Sequence, residues 1–373
     1  MKKTNPKTSA VVKKQKNNLP FVTKQNAILI TEWHFSLKET HVFLFLPFEK
    51  HALPLPDSSQ SWLSFGLTEI PAQEWTKNLK VITPWRQDFL KFSNAQFHCF
   101  PQVDKTFTYD GAFLHLSKYR GFNQNCFLDL LECVKPGGWI VIGGNKTVGA
   151  ASMMKWVKTL VPITDKLSKN HGLVFWLQVP QQIEKQSIAQ LRSLPLTFEN
   201  KFQTTSGMFS HGRIDPGSAV LALHMRKVIS GKTADFGAGW GFLSYAALEK
   251  SEKLTTLDLY EADYNALRAA KQNLKHIAAP CPIHFYWHDV VYEPITNLYD
   301  TIVSNPPFHT QQTTDISLGQ HFIINAAKYL RPGGKLLLVA NRHLPYETVL
   351  KNIFRTVLIH EKNHSFKVIE AHR

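Results

Sequence analysis

Six residues, "SNPPFH" at 304–309, follow the apolar run "YDTIV" and end it with two consecutive prolines. Two prolines remove two backbone donors and fix two φ angles, so no strand or helix continues through them. What remains is a rigid turn. It offers two fixed acceptors, the Asn305 side-chain carbonyl and the Pro306 backbone carbonyl. Pro307 stiffens it further, and the ring of Phe308 adds a flat face.

A second group of residues has a different chemistry. "KTADFGAGWGFLSYAALEK" (232–250) starts as a strand, turns through Gly237, Gly239 and Gly241, and enters a helix. Glycines there let the backbone approach a ligand closely, and the helix N-terminus offers free N–H groups. The next strand, "LTTLDLYEAD", ends at Glu261, 24 residues past Gly237. A carboxylate at that tip can accept both ribose hydroxyls of a nucleoside. A third strand, "IHFYWHDV", ends at Asp289, placed for an adenine amino group. Either acid alone reads as a solvated loop residue. Polar ends on three successive strands lie where open α/β sheets bind ligands.

The elements that hold these residues occur twice. "YDGAFLHL" (109–116) parallels "YDTIVSNP" (299–306), and "LLECVKPGGWIVIGGNK" parallels "NAAKYLRPGGKLLLVANR". "KNHGLVFWL" parallels "KNHSFKVIE", and the offset moves only between 190 and 196. Three matches in order indicate an internal duplication. Strand-like runs alternate with helical periods, the pattern of a mostly parallel α/β sheet. "TVLIHE" and "FKVIEA" predict a closing antiparallel hairpin, and "PGG" predicts a helix stop before a buried strand. The expected organisation is a basic tail 1–24, a first domain 25–180, a polar linker 181–205 and a second domain 206–373.

Length and composition agree with two domains: 373 residues, 43% hydrophobic and 19% charged. No apolar run reaches a membrane span, and the N-terminus lacks a signal-peptide core, so a cytoplasmic protein is expected. The four cysteines make no CxxC pair and the 17 histidines are scattered along the chain, so no metal is expected. Net charge is +15. Seven lysines and no acid fall in residues 1–24, which reads as a disordered tail. Such a tail is either solubilising or an arm for a phosphate backbone. The remainder is still basic, which favours a nucleic-acid partner.

The order Asp235-x-Gly237-x-Gly239-x-Gly241, strand-end Glu261, strand-end Asp289, then Asn305-Pro306-Pro307-Phe308 resembles class I S-adenosylmethionine-dependent methyltransferases. It is closest to the branch that methylates exocyclic or amide nitrogens. With "MFSHGRIDPGS" (208–218) and "VANRHLPY" (339–346), residues 205–373 resemble the bacterial rRNA guanine-N2 methyltransferases, small-subunit methyltransferase C and large-subunit methyltransferase G. The resemblance implies two tandem Rossmann-like domains, the first degenerate, with S-adenosylmethionine as cofactor. It implies that Asp235, the three glycines, Glu261, Asp289, Asn305 and Asp215 bind that cofactor, and that 305–308 hold an amine for methylation. Asp215-Pro216 reads as an N-cap with proline at the first helical position; the resemblance adds that this segment folds over the cofactor. Phe308 and His309 would meet the base. Arg342 and His343 face either RNA phosphate or solvent. The partner expected is rRNA or a ribosomal subunit; the sequence leaves the oligomeric state open, a monomer included.

The first half has "HLSK" in place of "NPPF" and no glycine before Gly66. Its counterpart of the glycine turn is placed near 42–56, and no cofactor is expected there. Small-subunit rRNA is preferred over 23S rRNA. Adenine-N6 or protein-glutamine methylation uses the same turn, but Phe308-His309 and the basic charge favour guanine in RNA. A non-enzymatic RNA-binding protein would not need Gly237, Glu261, Asp289 and Asn305 together. A nicotinamide enzyme would have no use for Asn-Pro-Pro-Phe.

Overall fold

The computed structural model describes residues 43–169, 171–307, 309–310, 313–314 and 316–373. The basic tail 1–24 and Phe308 lie outside the described residues, as does the His309 side chain.

Both halves form a seven-stranded sheet with the same strand order. In the first, strands β1 (Trp62–Phe65), β2 (Leu79–Ile82), β3 (His98–Phe100), β4 (Tyr109–His115), β5 (Val134–Asn145), β6 (Asp165–Lys169) and β7 (Gly172–Gln178) run 3-2-1-4-5-7-6. A small hairpin, β8 (Leu196–Phe198) and β9 (Phe202–Thr204), comes between the sheets. In the second sheet the strands are β10 (Gly231–Phe236), β11 (Leu254–Glu261), β12 (Ile283–Trp287), β13 (Tyr299–Ser304), β16 (Leu330–Asn341), β17 (Thr356–Lys362) and β18 (Phe366–His372), with β14 (His309–Thr310) and β15 (Thr313–Thr314) paired separately. The seven run 12-11-10-13-16-18-17, the same pattern. All neighbours are parallel except the last two pairs. The expected closing hairpin is therefore present, Thr356–Lys362 against Phe366–His372. Central strands such as Tyr299–Ser304 are buried almost throughout because helices cover both faces.

One irregularity is copied along with the fold. The strand-like run begins before "PGG", not after it: Tyr299 pairs with Leu330, then Thr301 pairs with Lys335. The first half repeats this, Tyr109 with Val134 and Gly111 with Trp139. Gly137 and Gly333 take the positive φ of the bulge, 79° and 78°. Asp110 binds Lys135 and the Ser61 N–H; Asp300 binds Arg331 and the Lys232 N–H. The same salt bridge at the same bulge in both halves supports duplication better than composition does.

The register corrects one expectation. The first half's glycine turn is not near 42–56. That stretch forms a helical turn, Leu46–Glu49, whose Phe45 and Phe48 pack on Phe113 and Trp75. The counterpart of the turn comes directly after β1. Phe65 pairs with Ile82 and Leu114 as Phe236 pairs with Tyr260 and Ser304. Gly66 (φ 72°) thus matches Gly237 (φ 75°). Thr68 and Ile70 stand where the second half has Gly239 and Gly241, Thr83 stands for Glu261, and His115 stands for Asn305. His115 Nδ1 lies 3.0 Å from the Gly66 carbonyl.

The stretch read as a polar linker has structure of its own: a helix Lys185–Leu191 and the hairpin of β8 and β9. Two asparagine amides clamp it. Asn125 of the first half exchanges two hydrogen bonds with the Ser193 backbone, both 2.9 Å. Asn273 of the second half does the same with Gln203, at 2.8 and 3.1 Å.

The halves also meet directly, through equivalent segments. Counting from the matched strand ends, Pro84, Trp85 and Arg86 correspond to Ala262, Asp263 and Tyr264. The Arg86 N–H donates to the Ala262 carbonyl and the Tyr264 N–H to the Pro84 carbonyl, both at 2.9 Å, with Trp85 opposite Asp263. Each copy therefore presents the same patch to the other, as the two subunits of an isologous dimer do. Arg86 adds a bidentate bond to Glu293 (2.8 and 2.7 Å) and stacks 4.9 Å over Trp287. Burial pushes the Glu293 carboxyl up, but the Arg86 bonds and the Asp289 N–H hold it below its ordinary value of 4.5. Such a depressed carboxyl stabilises above its unfolded value and loses that effect as the pH falls through the folded one. Arg86→Ala is expected to cost about 2 kcal/mol in urea unfolding at neutral pH, with the loss shrinking below pH 4.5. A loss equal at all pH values would contradict this account of the contact.

Candidate active site

The site forms where β10 and β13 end side by side. Phe236 pairs with Ser304, and the Ser304 hydroxyl donates to the Phe236 carbonyl at 2.7 Å. That register puts Gly237 beside Asn305. The chain then turns through Gly237, Gly239 and Gly241, with φ of 75°, 55° and 91°. Side chains rarely adopt such angles, so the motif is a steric requirement. The helix Phe242–Lys250 comes next.

A pocket opens over this turn. Gly237, Gly239, Trp240 and Leu243 line it together with Asn305, Asp215, Ser218 and Phe209. Of the residues expected at the site, the structure brings Asp215, Gly237, Gly239 and Asn305 onto one pocket. Asp215 caps the helix Pro216–Val228 by accepting from the Ser218 N–H at 2.8 Å, as the Asp-Pro sequence implied. The Asn305 amide nitrogen donates to Asp215 Oδ2 at 2.9 Å and to Ser218 Oγ at 2.8 Å.

Other expected residues sit around the pocket. Gly241 caps the helix behind it. Glu261 reaches back to the turn: its Oε2 accepts from the Gly239 N–H at 2.7 Å and its Oε1 from the Asp263 N–H at 2.8 Å. Burial raises its carboxyl, against three backbone N–H groups that lower it. Asp289 is buried one strand further out; it accepts from the Val291 N–H at 2.8 Å, and burial raises it also. Pro306 is buried and Pro307 exposed. Arg342 is exposed past the end of β16, its N–H bonded to the Ser365 carbonyl.

Asp235 is wholly buried beneath the turn, where its Oδ2 accepts from Ser244 Oγ at 2.7 Å. Burial pushes its carboxyl to about 7, with the nearby Glu261 charge adding to the rise.

Three residues escaped the sequence reading. Ser218 is three residues past the cap, a spacing that returns to the same helix end. Phe209 had no periodic signal. Trp240, inside the glycine turn, is held by Asn273, whose amide donates to its carbonyl at 2.9 Å, and by Phe198 and Phe202 of the β8–β9 hairpin. The segment between the sheets therefore buttresses the turn. Among the described residues, no group of three or more His, Cys, Asp or Glu is placed to hold a metal ion, and no helix is long and apolar enough to cross a membrane.

Residues 199–370 match the methyltransferase small domain family. The second half therefore carries a methyltransferase small domain, and its strand order occurs a second time in the first half. The chain's relatives include proteins named ribosomal RNA small subunit methyltransferase C. That of Psychromonas ingrahamii is 28% identical over 288 residues, 75% of this chain and 81% of its own. That of Shigella sonnei is 29% identical over 290 residues, 74% of this chain and 80% of its own. A T. thermophilus 16S rRNA N2 methyltransferase, solved with AdoMet and guanosine, superposes with a TM-score of 0.72 at 20% identity. It covers 90% of this chain and 93% of its own, so the likeness in fold spans both halves.

Two features fit S-adenosylmethionine. Among the described residues a Cβ at Gly239 would meet no atom within 4 Å, so the turn leaves open space where a ligand can lie. Asp235 Oδ1 is a buried acceptor without a hydrogen-bond partner among the described residues, the kind of atom a cationic ligand group satisfies.

The raised Asp235 carboxyl has a consequence for the free protein. Between pH 3.8 and about 7 it keeps its proton when folded and releases it when unfolded. Its contribution to stability is full below 3.8 and is lost as the pH rises to about 7. Asp235→Asn is expected to gain melting temperature on the parent steadily between pH 3.8 and about 7 and to level off above that. A difference constant over that range would contradict the buried, protonated carboxyl.

Proposed function

We propose that the chain methylates the exocyclic N2 amine of a guanine in small-subunit rRNA. The observation that carries this reading is the meeting of the Asn-Pro-Pro turn and the glycine turn in one pocket. The names of its relatives supply the RNA, and the net charge of +15 suits a phosphate backbone in the cytoplasm.

S-adenosylmethionine, when bound, supplies an electrophilic methyl group on a sulfonium. The protein's task is positioning. The lone pair of an exocyclic amine is delocalised into the ring, so the nitrogen must be held with that lone pair aimed. Asn305 Oδ1 and the Pro306 carbonyl accept its two N–H bonds and leave the third direction free. Pro306 and Pro307 keep those acceptors still, and acceptors fixed in advance need no reorganisation. No strong base is required, because the amine proton becomes acidic once the methyl group is transferred.

The 237–241 turn, Glu261 and Asp289 hold the adenosine part. Phe308 and His309 meet the guanine, which must leave any helical stack first at a cost of a few kcal/mol. Arg342 meets phosphate. The first half, with Thr68, Ile70, Thr83 and His115 at the matching places, binds no cofactor and serves the fold and the RNA.

Asn305→Ala is expected to lower kcat by about 100-fold or more, measured with labelled cofactor on small-subunit rRNA. RNA affinity should stay nearly unchanged. Full activity in this variant would overturn the reading, and label appearing only in protein or in large-subunit RNA would overturn the substrate.

A further inference from the structure

The orientation of the Asn305 amide is set before any substrate arrives. An amide nitrogen carries two protons, and both are used: one goes to Asp215 Oδ2 at 2.9 Å, the other to Ser218 Oγ at 2.8 Å. The flipped amide would point its oxygen at the Asp215 carboxylate with no proton between them. The hydrogen-bond network therefore assigns the orientation. Oδ1 is the atom left for the pocket.

Asp215 is itself fixed, since the same Oδ2 accepts the Ser218 N–H and caps the helix Pro216–Val228. A negative charge on one end of an amide also polarises the other end, making Oδ1 a better acceptor.

We infer that Asp215 and Ser218 are positioning residues for methyl transfer: they dictate which end of Asn305 meets the amine, and the charge at 215 makes the chain require an amide at 305. The inference rests on reading Asn305 as the amine acceptor. It gives Asp215 a role toward Asn305 in place of the cofactor contact that the sequence resemblance implied. A carboxylate at 305 would sit against Asp215 with no proton to share at neutral pH, and two such groups cannot both ionise without cost.

Exchanging the two side chains tests this. Asparagine at 215 still caps the helix, and its amide can donate to an aspartate at 305, leaving one carboxylate oxygen for the amine. Asn305→Asp alone is expected to melt below the parent without cofactor and to lose about 100-fold in kcat. The double variant Asn305→Asp with Asp215→Asn should recover the melting temperature and about tenfold or more of the rate. Affinity for S-adenosylhomocysteine, read by calorimetry, should be nearly the same in all four proteins.

A double variant no better than Asn305→Asp in melting or rate overturns the inference. So does an Asp215→Asn protein that loses cofactor affinity as steeply as rate, since that marks a cofactor contact. The underlying reading fails separately: if Asn305→Ala keeps full activity, the acceptor assignment is wrong. If Asn305→Ala is inactive while Asp215→Ala keeps the parent kcat, only the positioning role is lost.

Discussion

The pairing of Phe236 with Ser304 fixes the geometry on which the site depends. These residues end adjacent parallel strands, so the chain leaves the sheet at the same level in both places, as a glycine turn from one strand and as Asn-Pro-Pro from the other. Side chains alternate faces along a strand, and a slip of one residue would send Asn305 to the opposite face. Along β10, Ala234 and Phe236 pack in the apolar core on one face while Thr233 and Asp235 lie on the other, a difference that opposes such a slip. The Ser304 hydroxyl, bonded to the Phe236 carbonyl, ties the two ends together. Asp215 then arrives from a third element and fixes the amide. A positioning enzyme needs this rigidity, because a misplacement of about 1 Å can cost 100-fold in rate.

Duplication explains much of the remaining structure. Sheet order, the "PGG" bulge and its salt bridge are kept in both copies. The turn after the first strand is not: Gly66 keeps its positive φ, but Thr68 and Ile70 replace the other two glycines. The copies meet through equivalent residues around Trp85 and Asp263, as a two-fold dimer fused into one chain would. The second copy's share of that contact lies next to its own site. Ala262 and Asp263 come directly after Glu261, and Glu293, held by Arg86, accepts the Asp289 N–H at 3.0 Å. The first half thereby grips the loops beyond the second and third strands of the other.

The features legible in the sequence share a physical basis. Gly237, Gly239 and Gly241, the prolines 306 and 307, and the Asp215-Pro216 cap each impose a backbone angle or a missing donor, and such constraints are local. The strands were legible because burial on both faces demands continuous apolar runs. Misreadings arose where tertiary packing decided. The aromatic stretch near 43–56 contains no glycine and reads as a lost turn, yet it is a helical cover over the first sheet. The hairpin at 196–204 reads as polar linker, because its anchors are asparagine side chains bonding to backbone, which leave no periodic pattern. Asp235, expected at the cofactor by its place in the motif, has one carboxyl oxygen held by Ser244. Ser218 gives no signal because its partner, Asn305, is 87 residues away.

A crystal structure with S-adenosylhomocysteine and guanosine bound tests the central claim most directly. The account requires the adenosine to lie over Gly239 between Asn305 and Glu261, with the guanine N2 at about 3 Å from Asn305 Oδ1. A nucleoside seated in the first half, or an N2 turned away from Asn305, would contradict it.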